Sequence, residues 1–258
     1  MQNPTNAFKA ALAAGTPQVG LWNTIGGNTV AELLGGAGFD WVLVDCEHSA
    51  VETVEVLPAL QALAGTGTPA ALVRPAANDP VLIKRLLDMG AQTLIVPYVE
   101  TADEAAAAVA AMHYAPRGIR GMAGMTRATR YGKVRDYHTK ASDELCLVVQ
   151  IETRRGLDNL EAIATTPGVD GIFFGPADLS ASLGHPGEIS HPEVVAAIED
   201  GLDRAARIGV PAGVLALHPP TAQRYMARGA SFVAVGIDLV LLADAVAALG
   251  KTFGRDPG

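Results

Sequence analysis

Eight short apolar runs, each followed by a turn and then by a stretch with helical spacing, recur through the 258 residues of this chain and limit its fold more than any other feature. The strand-like runs are Val19 to Trp22, Phe39 to Val44, Ala70 to Val73, Thr93 to Val96, Leu145 to Ile151, Gly171 to Phe174, Ala212 to Leu215 and Phe232 to Val235. The spacing predicts helices opening at Thr29, over Val51 to Leu63, from Pro80 behind an Asn78-Asp79 cap, and over Ala102 to Met112. Four more follow over Arg154 to Ala164, Pro192 to Ile208, Thr221 to Ala227 and Asp238 to Leu249. Strands this short, apolar on both faces and separated by helices, belong in a parallel sheet covered all round. Eight such units in a chain of this length fit an α/β fold of the (β/α)₈ TIM-barrel type, as a single domain over residues 1–258. An open doubly wound sheet is the runner-up, since periodicity does not show closure. No G-x-G-x-x-G follows the first strand, which argues against a nucleotide cofactor.

Composition narrows the partners. With 5% aromatic residues in a chain that is 49% hydrophobic, the core must be built from Ala, Val, Leu and Ile. A net charge of −8 without a long run of either sign weighs against nucleic acid and against anionic membrane. Cys46 and Cys146 both lie in strand-like runs and form no disulfide framework, so the expected compartment is a reducing cytoplasm. No apolar run approaches the ~18 residues of a membrane span. Residues 115–142 interrupt the rhythm with no clear periodic element, and they carry Arg117, Arg120, Arg127, Arg130, Lys133 and Arg135. Such a cluster reads as a solvated or subunit-contacting surface, with a direct substrate role as the alternative.

In a closed barrel the residues just past the strands' C-terminal ends share one rim. The second strand delivers Asp45, Cys46, Glu47 and His48, the third Arg74, the fifth Gln150 and Glu152, and the sixth Gly175, Pro176, Ala177 and Asp178. Leu215 and Pro97 make part of the rim apolar, a mixture suited to a small organic acid. Glu152 and Asp178 are hard oxygen donors on consecutive strand ends, the donor type of an octahedral Mg²⁺ or Mn²⁺ site. They could instead cap the segments that follow them, or act as a paired general acid and base. His48 stands at a strand end close to Asp45 and Glu47, where it could exchange a proton near neutral pH or merely cap the next helix. Arg74 could meet a substrate anion, or pair with Asp45 or Glu47. The Gly175-Pro176-Ala177-Asp178 turn offers N–H groups to a carboxylate or phosphate, although an ordinary strand exit would read the same way. No lysine sits at a predicted strand end, so a Schiff-base mechanism is not expected.

The stretches GLWNTIGGNTVAELLGGAGFDWVLVDCEHS, VRPAANDPVLIKRLLDMGAQTLIVPYVETADEA, GIRG, VVQIETRRGLDNL, GVDGIFFGPADLSASLG and FVAVGIDLVLLA carry a resemblance that covers nearly the whole chain in order. They resemble the metal-dependent (class II) pyruvate aldolases typified by 4-hydroxy-2-oxoheptane-1,7-dioate aldolase. The resemblance implies a (β/α)₈ barrel that cleaves 4-hydroxy-2-oxo acids to an aldehyde and pyruvate, or a related 2-oxo acid such as hydroxypyruvate, and that runs the reverse addition. It implies a divalent cation (Mg²⁺, Mn²⁺ or Co²⁺) on Glu152 and Asp178, His48 as the acid/base group and Arg74 on the pyruvate oxygen. Gln150, Leu215 and Trp22 become pocket residues, Asp45 joins the catalytic set, and the backbone at Ala177 and Asp178 receives the carboxylate. Asp88 matches an acid that approaches the neighbouring subunit's histidine. The resemblance further implies exchange of the last helix between subunits, a hexamer built as a trimer of dimers, and a place in aromatic-compound catabolism. Cys46 departs from the family pattern, where a small residue such as glycine is common. A citrate-lyase-like or malyl-CoA-type lyase, and a non-catalytic oxo-acid-binding barrel, are the alternative readings of the same core.

Overall fold

A computed structural model describes residues 1–67 and 70–255; the remainder of the 1–258 domain assignment, residues 68–69 and 256–258, lies outside the described residues. Eight parallel strands close on themselves in sequence order, β1 (Gln18–Asn23), β2 (Trp41–Asp45), β3 (Ala70–Arg74), β4 (Thr93–Val96), β5 (Cys146–Ile151), β6 (Gly171–Phe174), β7 (Ala212–Leu215) and β8 (Phe232–Ile237). The helices are α1 (Ala7–Ala13), α2 (Asn28–Gly35), α3 (Thr53–Thr66), α4 (Pro80–Asp88), α5 (Ala102–Met112), α6 (Tyr137–Glu144), α7 (Arg154–Asp158), α8 (Leu160–Ala164), α9 (Pro176–Ser182), α10 (Pro192–Arg207), α11 (Pro219–Ala227) and α12 (Asp238–Thr252). The barrel is therefore closed, and the open-sheet alternative is excluded. No helix among the described residues is long and apolar enough to cross a membrane.

The two-residue period of a strand sorts side chains into two cores. Val42 and Val44 of β2, and Leu147, Val149 and Ile151 of β5, face the helices. Trp41 and Leu43 of β2, and Cys146 and Val148 of β5, join Leu72, Phe173 and Phe232 inside the barrel. Continuing each inward series by two residues puts Asp45, Arg74 and Gln150 at the strands' C-terminal mouth, and two residues more on β5 reach Glu152. Asp45 and Arg74 are direct partners in the β2–β3 register. At the opposite mouth α1 acts as a plug: Phe8 is fully buried and meets Phe232 and Trp41 edge to face, with ring centroids 5.3 and 6.2 Å apart. The interior has room for these rings because a Cβ on Gly20 would overlap Trp41 and one on Gly213 would overlap Phe232.

Local signals explain most of the helices. Asp79 caps α4 through its side chain, which accepts from the N–H groups of Val81 and Leu82, with Pro80 in the first turn, as the sequence predicts. Thr101 and Glu104 form a reciprocal capping box on α5. The sequence reading of eight helices is corrected in four places. α1 is a two-turn piece whose apolar face is only Phe8 and Leu12, opened by an Asn6 cap. α6 lies within the interval read as aperiodic, and only Tyr137 and Ala141 of its polar sequence are buried. α9 follows β6 directly through Pro176, where a turn was expected. The helix expected over Arg154 to Ala164 breaks at Asn159, whose side-chain amide donates to the Glu100 carbonyl at 2.8 Å.

The basic segment packs against the strand-start side. Arg120 pairs with Asp88 at 2.7 Å and lies over the Tyr114 ring, while the Arg127 guanidinium donates to the carbonyls of Met89 and Leu60. At the other end of the molecule the carboxylate of Asp238 accepts from the Asn23 side chain, from the Thr24 N–H and hydroxyl, and from the Ile25 N–H. That one buried acid ties the loop after β1 to the start of α12.

Candidate active site

A cavity of about 510 Å³ opens at the C-terminal mouth, and most of the rim residues singled out from the sequence line it; Cys46, Glu47 and Pro97 do not, and neither does Asp88. Thus Trp22, Asp45, His48, Arg74, Gln150, Glu152, Gly175, Pro176, Ala177, Asp178 and Leu215 share one space. Asp88 lies at the end of α4, engaged by Arg120, outside this cavity. The structure adds Thr24, Phe173, Ile237, Leu239 and Val240 to the wall, so the side opposite the charged groups is apolar.

The floor is a buried ionic lattice. Arg74 Nε and Nη2 donate to the two oxygens of Asp45 at 2.7 and 2.6 Å. Asp45 also accepts from the Glu47 N–H at 3.0 Å and from Trp22 Nε1 at 3.2 Å. Burial works against the charged form of Asp45, yet the hydrogen bonds and charge of Arg74 hold its carboxyl below the ordinary range. The Trp22 ring backs the guanidinium, 5.0 Å from its centroid to the charged carbon. Arg74 Nη1 reaches Gln150 Oε1 at 3.3 Å and lies 2.9 Å from Glu47 Oε2, an ion pair by distance without hydrogen-bond alignment. Of the pairings open to Arg74 from sequence, the structure therefore shows both carboxylates. Both oxygens of Asp45 are engaged by the guanidinium, the Glu47 N–H and Trp22.

Above this floor three further carboxylates converge. Gln150 Nε2 donates to Glu152 Oε2 at 2.5 Å, and the Tyr98 N–H donates to Glu152 Oε1 at 2.7 Å. Asp178, in the first turn of α9, accepts the Tyr98 hydroxyl on Oδ1 at 2.7 Å and turns Oδ2 toward His48 Nε2 at 3.5 Å. Glu47 Oε1 is 3.9 Å from the same imidazole nitrogen. Burial first, then repulsion from Asp45 and Asp178 for Glu47 and from Glu47 and Asp178 for Glu152, pushes both glutamates up to about 7. Gly175 makes the convergence possible, since a Cβ there would collide with Glu152 Oε2 and crowd Gln150 Nε2. An all-oxygen donor set with more negative charge than Arg74 can balance fits a hard divalent cation.

The capping alternatives lose their basis. Thr153, not Glu152, caps α7, and Glu52 with Glu55 forms the box that opens α3, leaving His48 free of that duty. Two site residues were not anticipated. Glu47 was read as a rim residue beside His48 and a possible partner of Arg74 but not as a member of the site, and Tyr98 follows Pro97 in a run read as apolar rim. The φ of Tyr98 is 52°, the left-handed region in which a bulky side chain costs ~1–3 kcal/mol, and no sequence pattern announces it. Elsewhere His185, His191 and Glu193 also cluster, but the two imidazoles stack at 3.4 Å with planes 18° apart, so their in-plane lone pairs run alongside each other rather than toward one ion.

Residues 18–245 match the family model described as HpcH/HpaI aldolase/citrate lyase. The chain belongs to that family. It is 54% identical over 253 residues to a pyruvate aldolase of Rhizobium etli, covering 98% of this chain and 99% of the relative. It is 53% identical over 251 residues to a hydroxypyruvate/pyruvate aldolase of Sagittula stellata, covering 96% and 98% respectively. Among solved structures, an HpcH/HpaI aldolase/citrate lyase family protein from Burkholderia cenocepacia superposes with a TM-score of 0.92 at 41% identity, over 96% of this chain and 99% of that one.

Proposed function

We propose that this chain is a class II pyruvate-dependent aldolase, a carbon-carbon lyase that cleaves 4-hydroxy-2-oxo acids to an aldehyde and pyruvate or hydroxypyruvate. The observation that carries the reading is the convergence of Glu152 and Asp178 beside His48 and a buried Arg74, with Glu47 against the last two, at a cavity whose other wall is apolar. The relatives named pyruvate aldolase and hydroxypyruvate/pyruvate aldolase support the choice of 2-oxo acid.

Glu152 and Asp178 are the residues proposed to hold the cation, which when bound supplies Lewis-acid polarisation of the 2-oxo acid. Arg74, fixed by Asp45 and backed by Trp22, presents Nη1 to the ketone oxygen as that oxygen gains charge. Gln150 sits between Arg74 and Glu152 and keeps their spacing. The N–H groups of Ala177 and Asp178, in the first turn of α9, face the substrate carboxylate. His48 takes the proton of the 4-hydroxyl in cleavage and returns it in addition. Leu215, Ile237 and Val240 exclude water from the aldehyde side.

The domain is proposed to extend over residues 1–258, with cytoplasmic location. Leu239, Leu241, Leu242, Val246 and Leu249 of α12 are exposed in the single chain, which supports burial of this helix on another subunit of a trimer of dimers. Asp88, remote from its own cavity, is proposed to approach a neighbour's His48. The test of the cation reading is metal-stripped enzyme assayed for retro-aldol cleavage. Activity that survives exhaustive chelation, or a borohydride-trapped pyruvate adduct, would refute it. E152Q should lose metal-dependent turnover with its fold intact.

A further inference from the structure

Tyr98 is half exposed, so burial of its ring does not explain why a tyrosine occupies a left-handed backbone position between β4 and α5. Its contacts do. The Tyr98 N–H meets Glu152 Oε1 at 2.7 Å, and its hydroxyl meets Asp178 Oδ1 at the same distance. Glu152 follows β5 and Asp178 follows β6, so one residue leaving β4 grips the two next rim segments. The following N–H, of Val99, donates to the Gln150 carbonyl at 3.3 Å and pins the turn to β5. With Oδ1 committed to the phenol, Asp178 keeps Oδ2 toward His48 and the cavity.

We propose that Tyr98 is a positioning residue for the cation site: its hydroxyl orients Asp178 so that Oδ2 is presented beside Glu152, a role that rests on the metal-dependent reading above. Three carboxylates in one small volume repel one another and would turn outward if free. A hydrogen bond from a neighbouring rim segment opposes that rotation before an ion arrives. Removing an outer partner of this kind typically weakens metal binding about 10–100-fold. The backbone and side-chain contributions are separable here. Y98F removes only the hydroxyl, whereas Y98G also removes the ring and relieves the positive φ while leaving the N–H to Glu152.

The test uses the full-length, metal-stripped protein titrated with Mn²⁺, with free ion read from its electron paramagnetic resonance signal. Y98F and Y98G should both raise the Kd for Mn²⁺ by about tenfold or more. The Tm of the stripped Y98F protein should stay within about 2 °C of wild type, since one exposed hydroxyl is removed. In turnover, the Mn²⁺ concentration for half-activation should rise by a larger factor than kcat at saturating Mn²⁺ falls, a split that general loosening of the fold would not produce. Loss of Mn²⁺ binding in E152Q with wild-type binding in Y98F would overturn the Tyr98 role alone. Wild-type Mn²⁺ binding by E152Q would overturn the cation site and the Tyr98 role with it.

Discussion

Replacing Asp45 by Asn tests whether the buried ionic floor is structural as well as functional. Asp45 is wholly buried and accepts four hydrogen bonds, two from Arg74, one from the Glu47 N–H and one from Trp22. An amide of the same size keeps one acceptor oxygen and turns the other into a donor. In either orientation two of those four donors then face an N–H₂ group, and Arg74 retains only the unaligned contact with Glu47 as a compensating charge. Breaking a buried pair by altering one partner costs about 3–5 kcal/mol. A 258-residue chain unfolds with an entropy of about 0.5 kcal/mol per degree near its midpoint, so D45N should lower Tm by about 6–10 °C. R74M should cost a similar amount by stranding Asp45, and the double variant D45N/R74M should recover about 1–3 kcal/mol of the summed losses. Retro-aldol activity should remain lost in R74M and in the double variant, separating stability from chemistry. The measurement is thermal unfolding of metal-stripped protein at one fixed concentration, so that neither bound ion nor subunit association shifts the midpoint. A D45N shift under about 2 °C, or a strictly additive cycle, would refute the reasoning.

Other consequences can be checked on the same protein. Arg204 hydrogen-bonds Glu161 and lowers its carboxyl to about 2 from 4.5, so the folded state binds the proton less readily than the unfolded one. That contribution is complete above pH 4.5 and is lost as pH falls toward 2, so the Tm gap between wild type and E161Q should close over this window. The pair is half exposed, which limits the gap to about 1 kcal/mol or less, and a gap that widens on acidification would contradict the assignment. Phe8 plugs the mouth opposite the cavity, so F8A should cost about 3–5 kcal/mol with kcat of the folded enzyme unchanged; a fall in kcat below the melting transition would show coupling through the barrel. G175A should push a methyl group into Glu152 and Gln150, reducing Mn²⁺ affinity at least about tenfold while destabilising by no more than about 3 kcal/mol. Wild-type Mn²⁺ binding by G175A would mean that Glu152 is free to move aside.

The strand-and-helix alternation, and the residues that end each inward series, are determined by the sequence alone because strand periodicity is a property of covalent geometry, whereas closure into a barrel is seen only in the structure. Leu43 and Asp45, or Val148 and Gln150, point the same way whatever surrounds them, and a polar residue ending an apolar inward series has to emerge at the rim. The short polar helix α6 and the plug α1 were less legible, since their stability comes from two apolar contacts each rather than from a repeated face. Which carboxylate serves which partner was decided only in the tertiary structure. Asp45, Glu47, Glu152 and Asp178 are chemically alike in sequence, and it is the tertiary structure, through the β2–β3 register, that gives Asp45 two hydrogen bonds from Arg74, leaves Glu47 an unaligned contact with that guanidinium, and turns Glu152 and Asp178 to the cavity. Tyr98 enters for the same reason: its contacts lie 54 and 80 residues away along the chain, and only closure of the barrel brings β4, β5 and β6 side by side.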